Sequence, residues 1–245
     1  MMAKIVAMVS MYESGVWIEN RLNNLIGSTI FNDIEIWCVN ADSPDNRDHD
    51  IPLAYSQKYS NIIYKRLESR INVYATWNYI IQNSTSDYIT NANTDDIVSP
   101  DCYRILSSFL DSNQNYDFVY PSWLTTAREN QTWPPKEVDN GGAPGQFTGD
   151  IDRAGAGHFP MWRRSLHNNL GYFDDSFGAL ADADWWMRCS HVGKSKFYWL
   201  NDHLACYLWR DGSNGRSRNL WHRAITGEEW AKFHTKAAKY RNGEL

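Results

Sequence analysis

The sequence predicts an α/β protein with a Rossmann-like, mostly parallel central sheet flanked by helices. Three observations carry this. Strand-like apolar runs and helix-length amphipathic segments alternate three or four times in the first half. Each strand-like run ends in small polar or charged residues, as expected where a parallel sheet delivers its loops to one edge. One such run leads into Asn93-Thr94-Asp95-Asp96, a pair of carboxylates at a strand end.

In order, residues 4–10 form an apolar run that fits a buried parallel strand. A helix follows from about 17 to 28, with Ile18, Leu22, Leu25 and Ile26 on one face. Residues 34–39 make a second strand that ends in a polar turn, 40–45. A third strand is expected at 61–66, then a helix over 74–81. Tyr88, Ile89 and Thr90 are β-formers and open the fourth strand. Pro100 suits the first turn of the next helix, 103–110. A short fifth strand, 118–120, is expected to stop at Pro121. Right-handed crossovers would then bring residues 10–13, 40–45, 66–70 and 93–96 to a single edge.

The second half reads differently. Residues 125–157 contain Pro134-Pro135, Gly141-Gly142 and Pro144-Gly145, and predict a mobile loop or lid. A mixed apolar and basic segment, 158–166, enters a short helix. A turn-rich stretch, 171–178, precedes a helix opening at 181–188 with Asp182 and Asp184 in its first turn, where the helix dipole favours acids. Two short strands, 196–200 and 204–209, lead to a basic loop at 210–218 and a closing helix from about 220 to 240. The whole is read as a single domain, 1–245. It divides into two halves, about 1–121 and about 122–245, at the change in pattern.

Composition narrows the function. A chain of 245 residues can bury a substantial core. A formal net charge of -5 argues against a general nucleic-acid binder. An aromatic share of 14% excludes a disordered chain. Cys38, Cys102, Cys189 and Cys206 are widely spaced without a zinc pattern, and read as thiols in a reducing compartment. No apolar run approaches the length of a membrane span. Residues 1–10 read as a strand rather than a signal peptide. The expected location is cytoplasmic, with peripheral attachment at the inner face of a membrane left open.

Two acids at a strand end are costly unless solvated or bound to something positive. Asp95 and Asp96 offer hard oxygen ligands that suit Mg²⁺ or Mn²⁺ holding a diphosphate. The other reading is a solvated acidic turn.

The motifs, taken together, resemble the inverting family 2 glycosyltransferases of the GT-A fold, over roughly residues 4 to 210. Val9-Ser10-Met11-Tyr12-Glu13 looks like the family's opening strand and loop. Residues 36–45 are similar to its V-D-D-G-S-x-D segment, and 73–78 to a helix of the form G-I-Y-D-A-W-N. Asn93-Thr94-Asp95-Asp96 with Pro100 resembles D-A-D-D-x-x-x-P, which contains the DXD metal motif. Residues 170–177 look like G-G-F-D-E-x-F, and 181–188 like E-D-x-D-W-W-L-R.

The resemblance implies transfer of a sugar from a nucleotide-sugar donor (UDP-, GDP- or dTDP-linked) to a glycan or lipid-linked acceptor. It implies inversion, a divalent cation, and a role in surface polysaccharide synthesis. Carried over by position, Asp182 matches the catalytic base and Asp184 is the secondary candidate. The nucleotide-sugar residues would be Ser10, Tyr12, Glu13, Asn40, Asp42, Arg70, Trp77, Asn78, Asn93, Thr94 and Asp95. The metal would fall to Asp95 and Asp96. Two assignments stay open: Asn93 on the ribose with Asp95 on the metal, or Asp95 on the ribose with Asp96 on the metal. The chain departs from the pattern at Asn40-Ala41, at Asn93 and at Ala181, where the family has acids. Near the last strand the family often has a metal-binding His. Here Trp209-Arg210-Asp211 stands there, with His203 nearby, and Arg210, Arg216 and Arg218 are candidates to neutralise phosphate. A sugar nucleotidyltransferase would need a Gly-rich basic loop after the first strand, which residues 10–15 lack. A non-catalytic GT-A binding module is the remaining alternative.

Overall fold

The computed structural model describes residues 3–150, 155–209 and 225–245. Strand β1 (Ile5–Met11) lies near the middle of a nine-stranded sheet. Parallel to it run β2 (Ile34–Asn40), β3 (Ile62–Arg66) and β4 (Tyr88–Asn91). The rest of the sheet comprises β5 (Ile97–Val98), β6 (Phe118–Thr126), β7 (Asn140–Gly142), β8 (Met161–Arg163) and β9 (Phe197–Leu208). The strand order is β3-β2-β1-β4-β8-β6-β9-β5, with β7 paired to β6. Strands β8, β5 and β7 run against the others, so the sheet is mixed but mostly parallel.

Side chains of β1 alternate between the two faces, as strand geometry requires. Val6 and Met8 join one core with Trp77, Ile80, Trp162 and Trp185. Ile5, Ala7 and Val9 join the other with Leu22, Leu25, Leu106 and Leu110. Helices α1 (Ile18–Ile26), α2 (Arg47–Lys58) and α4 (Cys102–Ser112) cover this second face. Helices α3 (Val73–Asn83), α5 (Leu166–Leu170), α6 (Ala181–His191) and α7 (Gly227–Arg241) cover the first. Each fully buried Leu or Ile contributes about 1.5–3 kcal/mol.

Several expectations are corrected. Helix α2 was not foreseen, because its sequence is polar and carries Pro52. Pro52 is the sixth residue of the helix and cannot donate to the Asp48 carbonyl, which accepts from Asn40 Nδ2 at 3.1 Å instead. Pro121 does not stop β6. Pairing with β8 ends at Val119, and the register against β9 shifts between Pro121 and Ser122, so the absent donor falls at a bulge. The same irregularity lets the two expected strands at 196–200 and 204–209 form one strand, β9. Helix α4 starts at Cys102, so Pro100 precedes it rather than opening it. Within the expected loop 125–157, β7 pairs with Trp123–Thr125. Gly142 is required there, since a Cβ would lie 2.3 Å from the Trp123 indole. Residues 151–154 of that loop, and 210–224 with the start of the expected closing helix, lie outside the described residues. No described helix is long and apolar enough to cross a membrane.

Candidate active site

The parallel strands deliver their C-terminal loops to one edge, where a cleft of about 690 Å³ opens. Ser10, Tyr12 and Ser14 line it from the end of β1, and Ala41 from the end of β2. Arg70, Ile71, Asn72 and Val73 approach from the start of α3, and Asn93, Thr94 and Asp95 from the end of β4. Gly178, Tyr207 and Leu208 close the far side.

The loops at this edge brace one another. Asp48 of α2 accepts the Ser14 N–H at 2.9 Å and the Ser14 hydroxyl at 2.6 Å. Ser43 Oγ accepts the Glu13 N–H at 2.9 Å. Tyr12 is covered by Arg70, whose guanidinium carbon lies 4.0 Å from the ring centroid. That stack is worth about 0.5–1 kcal/mol at an accessible position.

Not every expected site residue faces the cleft. Asn40 is 0% exposed. Its Oδ1 accepts the Ser43 N–H at 2.7 Å and its Nδ2 donates to the Asp48 carbonyl at 3.1 Å, so it shapes the loop from below. Asp42 is exposed and paired with Arg66 at 3.0 Å. Glu13 is also exposed, with a positive φ of 51°. Trp77 is buried against Tyr74 and Phe173. Asn78 exchanges two hydrogen bonds with the backbone of Phe173. Trp77 and Asn78 hold α3 against the 171–178 segment instead of lining the cleft. His203 is exposed at the β9 bulge and is not a lining residue. Arg210, Arg216 and Arg218 lie outside the described residues.

The two adjacent acids differ sharply. Asp95 lines the cleft. Asp96 is 1% exposed, with Oδ1 accepting the Leu208 N–H at 3.0 Å and Oδ2 accepting from Asn93 Nδ2 at 3.2 Å. Burial, and next the Asp95 charge, push the Asp96 carboxyl up to about 8. The fully buried Arg21 of α1, held by Asn24 and Tyr103, pulls the other way. An amide at position 93 therefore has a local reason: it donates to Asp96, where a second carboxylate would repel it.

Among the described residues no group of three or more His, Cys, Asp and Glu is arranged to hold a metal. The donor set still fits Mg²⁺ or Mn²⁺, which commonly take one or two carboxylates plus substrate phosphates. A cation near Asp95 would also relieve the charge crowding that Asp96 feels.

Asp182 is half-buried at the first turn of α6, four residues beyond the lining residue Gly178, and is not itself a lining residue. Its Oδ1 accepts the Ala183 N–H at 2.7 Å. Burial raises its carboxyl to about 6, against the pull of that hydrogen bond. Asp184 is 0% exposed and engaged by Arg188, Lys236 and Tyr240. The structure encloses this secondary catalytic candidate, with both of its oxygens engaged within the fold and neither lining the cleft.

Asn72, Gly178, Tyr207 and Leu208 were not anticipated as lining residues. Tyr207 stood on an expected strand near its end, and the strand-end rule could have singled it out. In the structure it stacks on His158, with ring centroids 4.1 Å apart and 12° between planes.

Three comparisons extend this picture. The model of a family described as "Glycosyl transferase family 2" matches residues 6–171. The fold is similar to S. aureus TarS 1-349 in complex with UDP, with a TM-score of 0.70 and 15% identity over 97% of this chain. The chain spans 65% of the length of that structure. TarS 1-349 in complex with UDP-GlcNAc matches with a TM-score of 0.65 and 16% identity, covering 98% of this chain and 72% of that one. The mannosyltransferase PcManGT from Pyrobaculum calidifontis, in complex with GDP-Man and Mn²⁺, gives 0.64 and 11% identity, covering 98% and 74%. At these identities the structural likeness establishes the GT-A fold. No curated protein sequence matches the chain.

Proposed function

Since the chain belongs to glycosyl transferase family 2, we propose that it moves a sugar from a nucleoside-diphosphate sugar to an acceptor hydroxyl, with inversion at the anomeric carbon. One observation carries the reading. Asp95 lines a strand-end cleft, and Asp182, a carboxylate of raised basicity, follows the lining residue Gly178 by four positions at the start of α6. An in-line displacement needs both: charge control at the leaving diphosphate and a proton acceptor at the nucleophile.

Ser10, Tyr12 and Arg70 are assigned to the nucleoside, with the base packing at the Tyr12–Arg70 stack. Asn93 and Thr94 are assigned to the ribose side of the cleft. Asp95 would hold the cation, with Asp96 buried behind it. This favours the first of the two open assignments, because both Asp96 oxygens already accept hydrogen bonds from the protein. When bound, Mn²⁺ or Mg²⁺ would offset the charge on the departing diphosphate. Asp182 is ionised above about pH 6 and takes the acceptor proton as the hydroxyl attacks. A UDP- or GDP-sugar donor and a glycan acceptor of a surface polysaccharide suit this arrangement.

The test is Asp182→Asn. Nucleoside diphosphate binding should stay within about twofold while transfer falls by about a thousandfold, within the range of general-base contributions. Retained transfer would remove Asp182 from the base role. Absence of transfer in the wild type across UDP-, GDP- and dTDP-sugars would favour a binding module.

A further inference from the structure

The helix that carries Asp182 begins without a capping side chain of its own. Its N-cap is Leu180, and Ala181 follows. Neither can accept a hydrogen bond through its side chain, yet the first N–H groups of a helix need acceptors. Within the first turn Asp182 Oδ1 takes the Ala183 N–H, while the N–H groups of the N-cap Leu180 and of Ala179 just before it are accepted by a side chain of another helix. Glu229 Oε1 accepts the Ala179 N–H at 2.8 Å and the Leu180 N–H at 3.0 Å. A carboxylate at a helix N-terminus is also favoured by the helix dipole.

Glu229 stands at the third position of α7, where Thr226 caps the helix by accepting the Glu229 N–H at 3.1 Å. In a capping box of the form Thr-x-x-Glu the acid turns back toward its own cap. Here its Oε1 reaches across to the start of α6. The opposite side of the same peptide is also held, since the Tyr74 hydroxyl of α3 donates to the Ala179 carbonyl at 3.1 Å. The strip from the cleft residue Gly178 to Asp182 is thus gripped from α3 and from α7.

We propose that Glu229 is a positioning residue for Asp182, setting the start of the base's helix from α7 and fixing the carboxylate relative to the cleft. The inference rests on Asp182 as the base. Displacements of about 1 Å at a reacting group can cost about a hundredfold in rate. Loss of Glu229 would not detach α7, because Asp184 separately binds Tyr240 and Lys236.

The experiment compares Glu229→Ala, Glu229→Gln, Glu228→Ala and Asp182→Asn in the full chain. Amide hydrogen exchange at Ala179 and Leu180 is read without substrate. Nucleoside diphosphate release from UDP-N-acetylglucosamine and from GDP-mannose gives kcat and KM. Glu229→Ala should speed exchange at both amides at least tenfold and lower kcat at least tenfold, with KM within twofold. Glu229→Gln, which keeps an acceptor oxygen, should restore both readings, and the exposed Glu228→Ala should change neither. Protected amides in Glu229→Ala overturn the proposal by themselves. So does a Gln variant as impaired as the Ala variant. Undiminished turnover in Asp182→Asn would instead overturn the base assignment, whatever the Glu229 variants do.

Discussion

Asp182 and Asp184 are separated by one residue in helix α6 but occupy opposite environments. Asp182 is half-buried near the cleft, and its strongest described contact is the Ala183 N–H. Asp184 is fully enclosed, 3.0 Å from Arg188 Nη2, 3.0 Å from Lys236 Nζ and 2.9 Å from the Tyr240 hydroxyl. The sequence presents them as twin acids, and the fold leaves one half-buried at the start of α6 and uses the other to join α6 and α7.

Removing one partner of a buried ion pair leaves the other uncompensated, at a cost of about 3–5 kcal/mol. Asp184→Asn should therefore lower unfolding stability by about 3 kcal/mol in urea titration. Asp182→Asn should leave stability at pH 8 equal or higher, because it removes a carboxylate that burial disfavours.

The acid limb of kcat/KM should have its midpoint near pH 6, set by Asp182. The sign for stability follows from the same shift. The folded carboxyl titrates above its unfolded value of about 3.9, so the folded state binds the extra proton. Asp182's contribution is fully present below pH 4 and is lost as pH rises through 6. A pH–rate profile and urea titrations between pH 4 and 7 check both.

His167 should act in the opposite direction. Its Nε2 accepts from Trp162 Nε1 at 3.0 Å, its Nδ1 lies 2.9 Å from the Gly171 carbonyl, and its ring stacks on Trp185 at 4.4 Å. Burial lowers its pKa to about 4. Its contribution is present above the unfolded value of about 6.5 and is lost as pH falls through 4. His167→Phe should reduce the acid sensitivity of unfolding, and should cost about 1–3 kcal/mol at pH 7.5 by leaving the Trp162 N–H and the Gly171 carbonyl without this partner.

Tyr12→Ala removes the ring beneath Arg70. Stacking of a base on an aromatic ring is worth about 1–3 kcal/mol. Affinity for UDP or GDP should fall at least about fivefold by calorimetry, with no change in the midpoint of urea unfolding beyond the scatter of surface substitutions.

The first half of the fold was legible because β1 and β2 are mostly apolar, β4 opens on β-formers, and α1 and α4 each keep one apolar face. Helix α2 was not, since its polar sequence gains its place from tertiary contacts such as the Asp48–Ser14 bonds. The Pro121 bulge was hidden because a proline reads as a stop unless the partner strand is known. Strand-end loops pointed to the cleft, and Ser10, Tyr12, Arg70, Asn93, Thr94 and Asp95 line it together. Asn40, Trp77 and Asn78 share the same motifs but face inward, and only the side-chain contacts distinguish these two groups. Glu229 had no local signal at all. Its partners are 49 and 50 positions away in the chain.

The proposed chemistry requires the cleft to bind a nucleoside diphosphate through a cation held at Asp95. Calorimetric titration of UDP and GDP, with and without Mn²⁺, into the wild type and Asp95→Asn tests it most directly. Saturable binding of at least one nucleotide is expected, strengthened about tenfold or more by Mn²⁺, with the Mn²⁺ effect abolished in Asp95→Asn. Binding of neither nucleotide in either condition, or a Mn²⁺ effect unchanged in Asp95→Asn, would contradict it.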